Sequence, residues 1–439
     1  MGDLLLGIDV GTSNIKALLA DRDGRELQVT SAPTPFGSGA AATEMTVEAL
    51  GSAVAKVLAA LGPARARVAG VGIAGMAECG APFDAARQAL GPVIAWHDPR
   101  GEEIVARLRE RFGDELNRRI GQPIRTVSSV AKLGWLIGQG CGRPRRWLGV
   151  PELCLWRLSG EEATEHSLAA RTGCYDVIER RFLPEVASAA GLAVEVFPPV
   201  RRAGDAMGAV TEAGAAWSGL PEGAPVTLAG HDHPAAAEGA GASPGDILNS
   251  VGTAETVLRH LPRAPDIKEA LAWRVAITLR PEGREWVALT SAARAGMVLT
   301  SAAGALGHPI PLLDELAEGV GAIDASEMLS TILEGERVAV PPGPAGRVWN
   351  GLLEALAERT AQATDRLNRL AGPATRMLIL GGGSRSRPWT AAKARLIPIP
   401  LYRPRTREAA ARGAAILAGV AAGWWPSPAA APGPPLDAV

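Results

Sequence analysis

Gly7-Ile8-Asp9-Val10-Gly11-Thr12-Ser13-Asn14-Ile15-Lys16 decides how this chain is read. The apolar run Leu4 to Val10 ends in a glycine turn, and a second apolar run, Ile15 to Ala20, leaves it. Strand, turn, strand predicts a hairpin. Glycine lets the backbone approach an anion closely, and free N–H groups with hydroxyls then cradle phosphate. Thr12, Ser13 and Asn14 are the candidates in this turn. Lys16, just beyond, faces either a phosphate or solvent. Asp9, at the strand end, is a candidate Mg²⁺ ligand, because Mg²⁺ is held by one or two carboxylates plus substrate phosphates. The plainer reading of Asp9 is a turn cap.

The pattern returns at Val251-Gly252-Thr253-Ala254, between strand-like stretches 246–251 and 255–259. A third turn, Gly381-Gly382-Gly383-Ser384, follows the buried-type run Arg376 to Leu380. Any one of these reads as an ordinary loop. Three at strand ends, two of them matched, favour a nucleotide site between two domains. Strand-like and helix-like stretches alternate throughout, which predicts an α/β architecture. Helical spacing covers Met45–Leu61, Glu102–Arg118, Trp349–Leu370 and Glu408–Ala421. The Pro- and Ala-rich stretch 425–439 predicts a disordered tail.

At 439 residues the chain holds two or three domains. Lys plus Arg is 45 and Asp plus Glu 46, a balance that lacks the basic face a nucleic-acid partner demands. Apolar residues make up 47%, enough for a sizeable core. No apolar run has membrane-spanning length, and the opening residues lack an export signal, so the expected location is the cytoplasm. Cys79, Cys141, Cys154 and Cys174 have no metal-ligand spacing and read as reduced thiols.

His231-Asp232-His233 is the densest polar cluster. Asp232 suits a general base that takes the proton of a substrate hydroxyl during phosphoryl transfer. A helix cap before Pro234 is the plain alternative. A metal hydrolase site, with His97 and Asp98 joining the histidines, is a rival. In a regular strand, however, His231 and His233 would point to opposite faces, so one metal takes both only at an irregular junction. Trp96 can stack on a sugar or simply be buried. Gly70-Val71-Gly72-Ile73-Ala74-Gly75 has dinucleotide-fingerprint spacing, but it lies inside an apolar run with no acidic residue at the expected place.

Taken together, these segments resemble the FGGY family of carbohydrate kinases. The opening hairpin is similar to that family's first phosphate turn, and Leu90 to Arg100 to its sugar-side segment. Lys132-Leu133-Gly134-Trp135-Leu136, Thr164-Glu165-His166-Ser167 and Gly230-His231-Asp232-His233 resemble further family segments in family order. So do Ser250-Val251-Gly252-Thr253, Gly381 to Ser386 and Glu408 to Ala415.

The resemblance implies two actin-like (ribonuclease H-like) α/β domains with an interdomain active-site cleft. It assigns 1–242 to the sugar-binding domain and 243–424 to the ATP-binding domain. The implied activity is a xylulose kinase- or glycerol kinase-like transfer from ATP, with Mg²⁺, to a small sugar or polyol. Asp232 is the implied base, and Ala77, Glu78, Trp96 and His233 the substrate residues. Thr12, Ser13, Gly252, Thr253 and Gly296 would lie near the phosphates, and Gly382, Gly383 and Ser384 near adenosine. A homodimer is compatible with this reading. The segment after Gly335-Glu336-Arg337 is shorter than the family's, and a catalytically silent sugar- or nucleotide-binding regulator of the same fold is the alternative.

Overall fold

The computed structural model describes residues 2–38, 43–252 and 254–439. Thr253, expected near the phosphates, lies outside them. The chain opens with β1 (Leu4–Val10), β2 (Asn14–Ala20), β3 (Glu26–Pro33), α1 (Val47–Ala59) and β4 (Val68–Gly75). It continues through α2 (Glu102–Ile120), α3 (Ser129–Gly138), α4 (His166–Ala169), β5 (Pro225–His231) and α5 (Asp232–Gly239). Then follow β6 (Asp246–Val251), β7 (Glu255–Leu261), β8 (Trp286–Ala293), α6 (Ala295–Leu306) and α7 (Ala345–Ala371). The last elements are β9 (Arg376–Leu380), α8 (Arg387–Leu396), β10 (Leu401–Pro404), α9 (Ala409–Ala421) and β11 (Leu436–Ala438).

The chain divides into two compact units. Unit 1 holds residues 1–241, 277–286 and 406–434, and unit 2 holds 242–276, 287–405 and 435–439. In unit 1 the strand order is β5, β4, β1, β2, β3, with β4 parallel to both β1 and β5 and β2 antiparallel to β1. The strands β1 and β4 are almost wholly buried, which explains their near-continuous apolar reading. Unit 2 repeats the plan: β6 and β7 form a hairpin, and β6 runs parallel to β9. Both hairpin turns close alike, Gly11 N–H donating to the Asn14 carbonyl and Gly252 N–H to the Ala254 carbonyl, each at 3.1 Å.

The two compact units are not the contiguous segments 1–242 and 243–424. Helix α9 belongs to unit 1, although it lies far beyond residue 242 in sequence. Its small residues explain why. A Cβ at Gly7 would collide with the Ala411 carbonyl, and one at Gly72 with the Ala414 carbonyl. Gly239 on α5 and Gly413 on α9 face the Ala409 and Ala235 carbonyls in the same way. Glycines 70 and 72 of the fingerprint-like run therefore serve helix-on-sheet packing, not a dinucleotide.

The expected disordered tail is corrected. Strand β11 pairs antiparallel with β10, and Arg405 bonds Asp437 at 2.7 Å. Proline excludes helix but not an extended edge strand. All four cysteines are free thiols, three of them buried.

Unit 2 carries a buried ion pair. Lys393 Nζ donates to Glu255 Oε1 and Asn249 Oδ1, both at 2.6 Å, and lies 4.3 Å from the Trp389 ring centroid. Thr360 Oγ1 adds a bond to Glu255 Oε1 at 2.8 Å. Breaking such a pair leaves an uncompensated buried charge. In denaturant titrations, Lys393→Met should therefore cost about 3–5 kcal/mol. Lys393→Met combined with Glu255→Leu should recover more than half of that loss.

Candidate active site

Three strands of unit 1 deliver carboxylates to one edge. Asp9 is the penultimate residue of β1, Glu78 follows β4, and Asp232 follows β5 at the start of α5. These are the carboxyl ends of three adjacent parallel strands, where open α/β sheets hold their ligands.

The β1–β2 turn is held from β3's end. Thr34 Oγ1 donates to the Gly11 carbonyl at 2.6 Å, and its N–H to the Ser13 carbonyl at 3.0 Å. Ser13 and Asn14 are left exposed. Thr12 is engaged: its hydroxyl accepts from Trp96 Nε1 at 2.9 Å. Lys16 pairs with Glu408 at 2.6 Å, at the start of α9.

Asp9 is buried, and its Oδ1 has no hydrogen-bond partner among the described residues. Burial, and next the charge of Asp232, push its pKa up to about 7, while Lys16 pulls the other way. An orphaned, electrostatically stressed carboxylate oxygen beside a second carboxylate fits a divalent cation, which would relieve both costs.

Asp232 is partly exposed, with His231 Nε2 at 3.1 Å from its Oδ1. Burial acts to raise its pKa, but His233 and His231 outweigh that and hold it below the usual carboxylate range. His233 is lowered mainly by burial, against the pull of Asp232. The backbone here is set from behind. His231 N–H donates to Ser167 Oγ at 3.0 Å, and Ser167 Oγ donates to Glu165 Oε1 at 2.7 Å. Glu165 also caps α4. Gly230 has φ +93°, and a Cβ there would strike Ser167 and Glu165, so only glycine fits.

Glu78 sits at φ +66°, a costly conformation for a non-glycine residue. Arg171 holds it with an ion pair at 2.6 Å and also bonds Gln122. Arg171 and Gln122 were not legible as site residues; neither stands in a motif, and both reach Glu78 through the fold. Ala77 has its methyl in the core. Trp96 is partly exposed, and Lys132 donates to its carbonyl at 3.0 Å. The rival metal set does not assemble. His97 is exposed, and Asp98 is engaged by Arg100 and Thr43, which lower its pKa to about 2 against burial.

Unit 2 has its own cavity of about 560 Å³. Gly252, Gly296, Gly382 and Gly383 line it, together with Trp349 and Trp389. Ser384 is buried, with its hydroxyl donating to the Gly381 carbonyl at 2.7 Å.

Two buried carboxyls of unit 1 give a pH dependence. Burial pushes Glu152 up from 4.5 to about 7 and Glu165 up from 4.5 to about 8. Raised native pKa values mean that the folded chain binds more protons than the unfolded one. The resulting stability is complete below pH 4.5 and is lost as pH rises through about 7 and 8. Thermal unfolding of the ligand-free chain should thus occur at lower temperature near pH 8.5 than near pH 5.5, roughly. Glu152→Gln with Glu165→Gln should lessen that fall, with Asp9 and Glu238, both also raised to about 7, keeping the rest.

Comparison with known proteins identifies the family. Residues 4–239 match the N-terminal domain of the FGGY family of carbohydrate kinases, and residues 291–422 match its C-terminal domain. The L-fuculokinase of Salmonella typhi is 28% identical over 459 residues, covering 97% of this chain and 94% of the relative. The xylulose kinase of Streptomyces coelicolor is 27% identical, covering 100% and 93%. Among solved structures, xylulose kinase from Rhodospirillum rubrum superposes with a TM-score of 0.83 at 24% identity, covering 96% and 92%. The chain belongs to the FGGY family of carbohydrate kinases, phosphotransferases that use ATP as co-substrate and an alcohol group as acceptor.

Proposed function

We propose that this kinase transfers the γ-phosphate of ATP to a hydroxyl of a small sugar or polyol, with Asp232 as the base. The observation that carries this reading is the convergence of Asp9, Glu78 and Asp232 on the carboxyl ends of three adjacent strands. Asp232 accepts the hydroxyl proton as the oxygen attacks phosphorus. Glu78, locked by Arg171, orients other hydroxyls of the acceptor, and His233 stands next to the base. The Trp96 ring offers an apolar face to the sugar. ATP takes the glycine-lined cavity of unit 2, where closely approaching backbone accommodates adenosine. Mg²⁺ held at Asp9 would supply charge neutralisation for the β- and γ-phosphates.

The test is ADP release from ATP across ketoses, polyols and aldonates. An accepted sugar should stimulate release in the wild type. Asp232→Asn should cut that rate by about 10²–10⁴-fold, with nucleotide binding retained. Nucleotide binding without sugar-stimulated release across the panel would instead favour the silent regulator.

A further inference from the structure

The strand-to-helix junction at residues 231–233 does what a regular strand cannot. His231 is extended (φ −60°, ψ 136°) and ends β5, whereas Asp232 and His233 are the first residues of α5. The change of backbone breaks the alternation that would send the two imidazoles to opposite faces. The rings instead stand edge to face with centroids 5.2 Å apart. One ligand atom from each of His231, Asp232 and His233 lies within 4.8 Å of the other two. His231 Nε2 and Asp232 Oδ1 are already 3.1 Å apart. A tetrahedral metal with bonds of about 2.0–2.1 Å sets its ligands roughly 3.3 Å apart, so side-chain rotation at His233 closes the remainder.

We propose that His231, Asp232 and His233 form a three-ligand site for a borderline divalent transition metal, Zn²⁺ being the best fit. The donor set separates this site from the Mg²⁺ reading of Asp9. Two imidazoles with one carboxylate suit Zn²⁺, whereas Mg²⁺ takes oxygen ligands and keeps its waters. A second observation supports a ligand here: His231 Nδ1 is buried without a hydrogen-bond partner among the described residues. With Nε2 already against Asp232 Oδ1, Nδ1 is the one nitrogen of this ring left unsatisfied, and Nε2 is the atom the ring presents to a metal. Nearby charge is no obstacle, because Arg171 and Glu78 offset each other as an ion pair. Three protein ligands leave a fourth position for water or a substrate oxygen. A metal so held takes the Asp232 carboxylate as a ligand, so it competes with proton abstraction.

Calorimetric titration of the metal-free full chain with ZnCl₂, without ATP or sugar, tests this. The expected result is one site per chain with a Kd of about 10 µM or tighter. His231→Gln and His233→Gln, each with unchanged circular dichroism, should weaken it at least about tenfold. Co²⁺ bound to the wild type, which does not depend on how any variant folds, should show visible ligand-field bands without a thiolate charge-transfer band. No saturable uptake, uptake undiminished in both variants, or a thiolate band would overturn the site. Since the readout uses neither nucleotide nor sugar, it stands or falls separately from the kinase reading.

Discussion

Backbone-to-backbone contact between α9 and the rest of unit 1 governs the architecture of the polar edge. Gly7 on β1, Gly72 on β4 and Gly239 on α5 each face a carbonyl of α9, and Gly413 of α9 faces α5. Any side chain at these points would push the helix away. The same contact fixes two helix starts. Helix α5 begins with Asp232, while α9 begins beside Glu408, which bonds Lys16 across from Asp9. Arg412, in the first turn of α9, joins it to the last residue of α5 and to the tail, donating to the Gly239 carbonyl at 2.8 Å and the Pro432 carbonyl at 2.6 Å. A segment from the end of the chain thus completes the unit that the first residues begin.

The polar groups on this edge carry opposed electrostatics. Asp232 is held ionised by its histidines, and its charge helps drive Asp9 upward. Carboxylates whose environments push their pKa values apart mark divided roles. In the proposed reaction Asp232 would be the charged acceptor of the hydroxyl proton, and Asp9 the group that gains most from a cation. Behind them, Glu165, Ser167 and Gly230 shape the backbone that leads into Asp232.

Local features of this molecule could be read from sequence. The β1–β2 hairpin and its echo at β6–β7 follow from apolar runs and glycine turns within a few residues. Strand β9 was bounded by the same reasoning. Asp232 stood out in a polar cluster before a proline as a candidate base, with a helix cap as the plain alternative, and the resemblance favoured the base. What depends on distance along the chain was hidden. The home of α9 is decided by contacts with residues near the N-terminus, such as the Lys16–Glu408 pair. Arg171 and Gln122 matter only because the fold brings them to Glu78. The tail's pairing could not be inferred from its prolines, since composition carries no information on a free sheet edge.

The central claim is that glycine-mediated packing of α9 on α5 sets the position of Asp232. The most direct measurement is steady-state kinetics of Gly239→Ala with ATP and an accepted sugar, alongside circular dichroism. A displaced α5 carries its first residue with it, and a misplacement of about 1 Å costs on the order of 10²-fold in rate. The account predicts a folded variant whose kcat falls by at least about tenfold, while the sugar KM changes much less. A folded variant with wild-type kcat would contradict it.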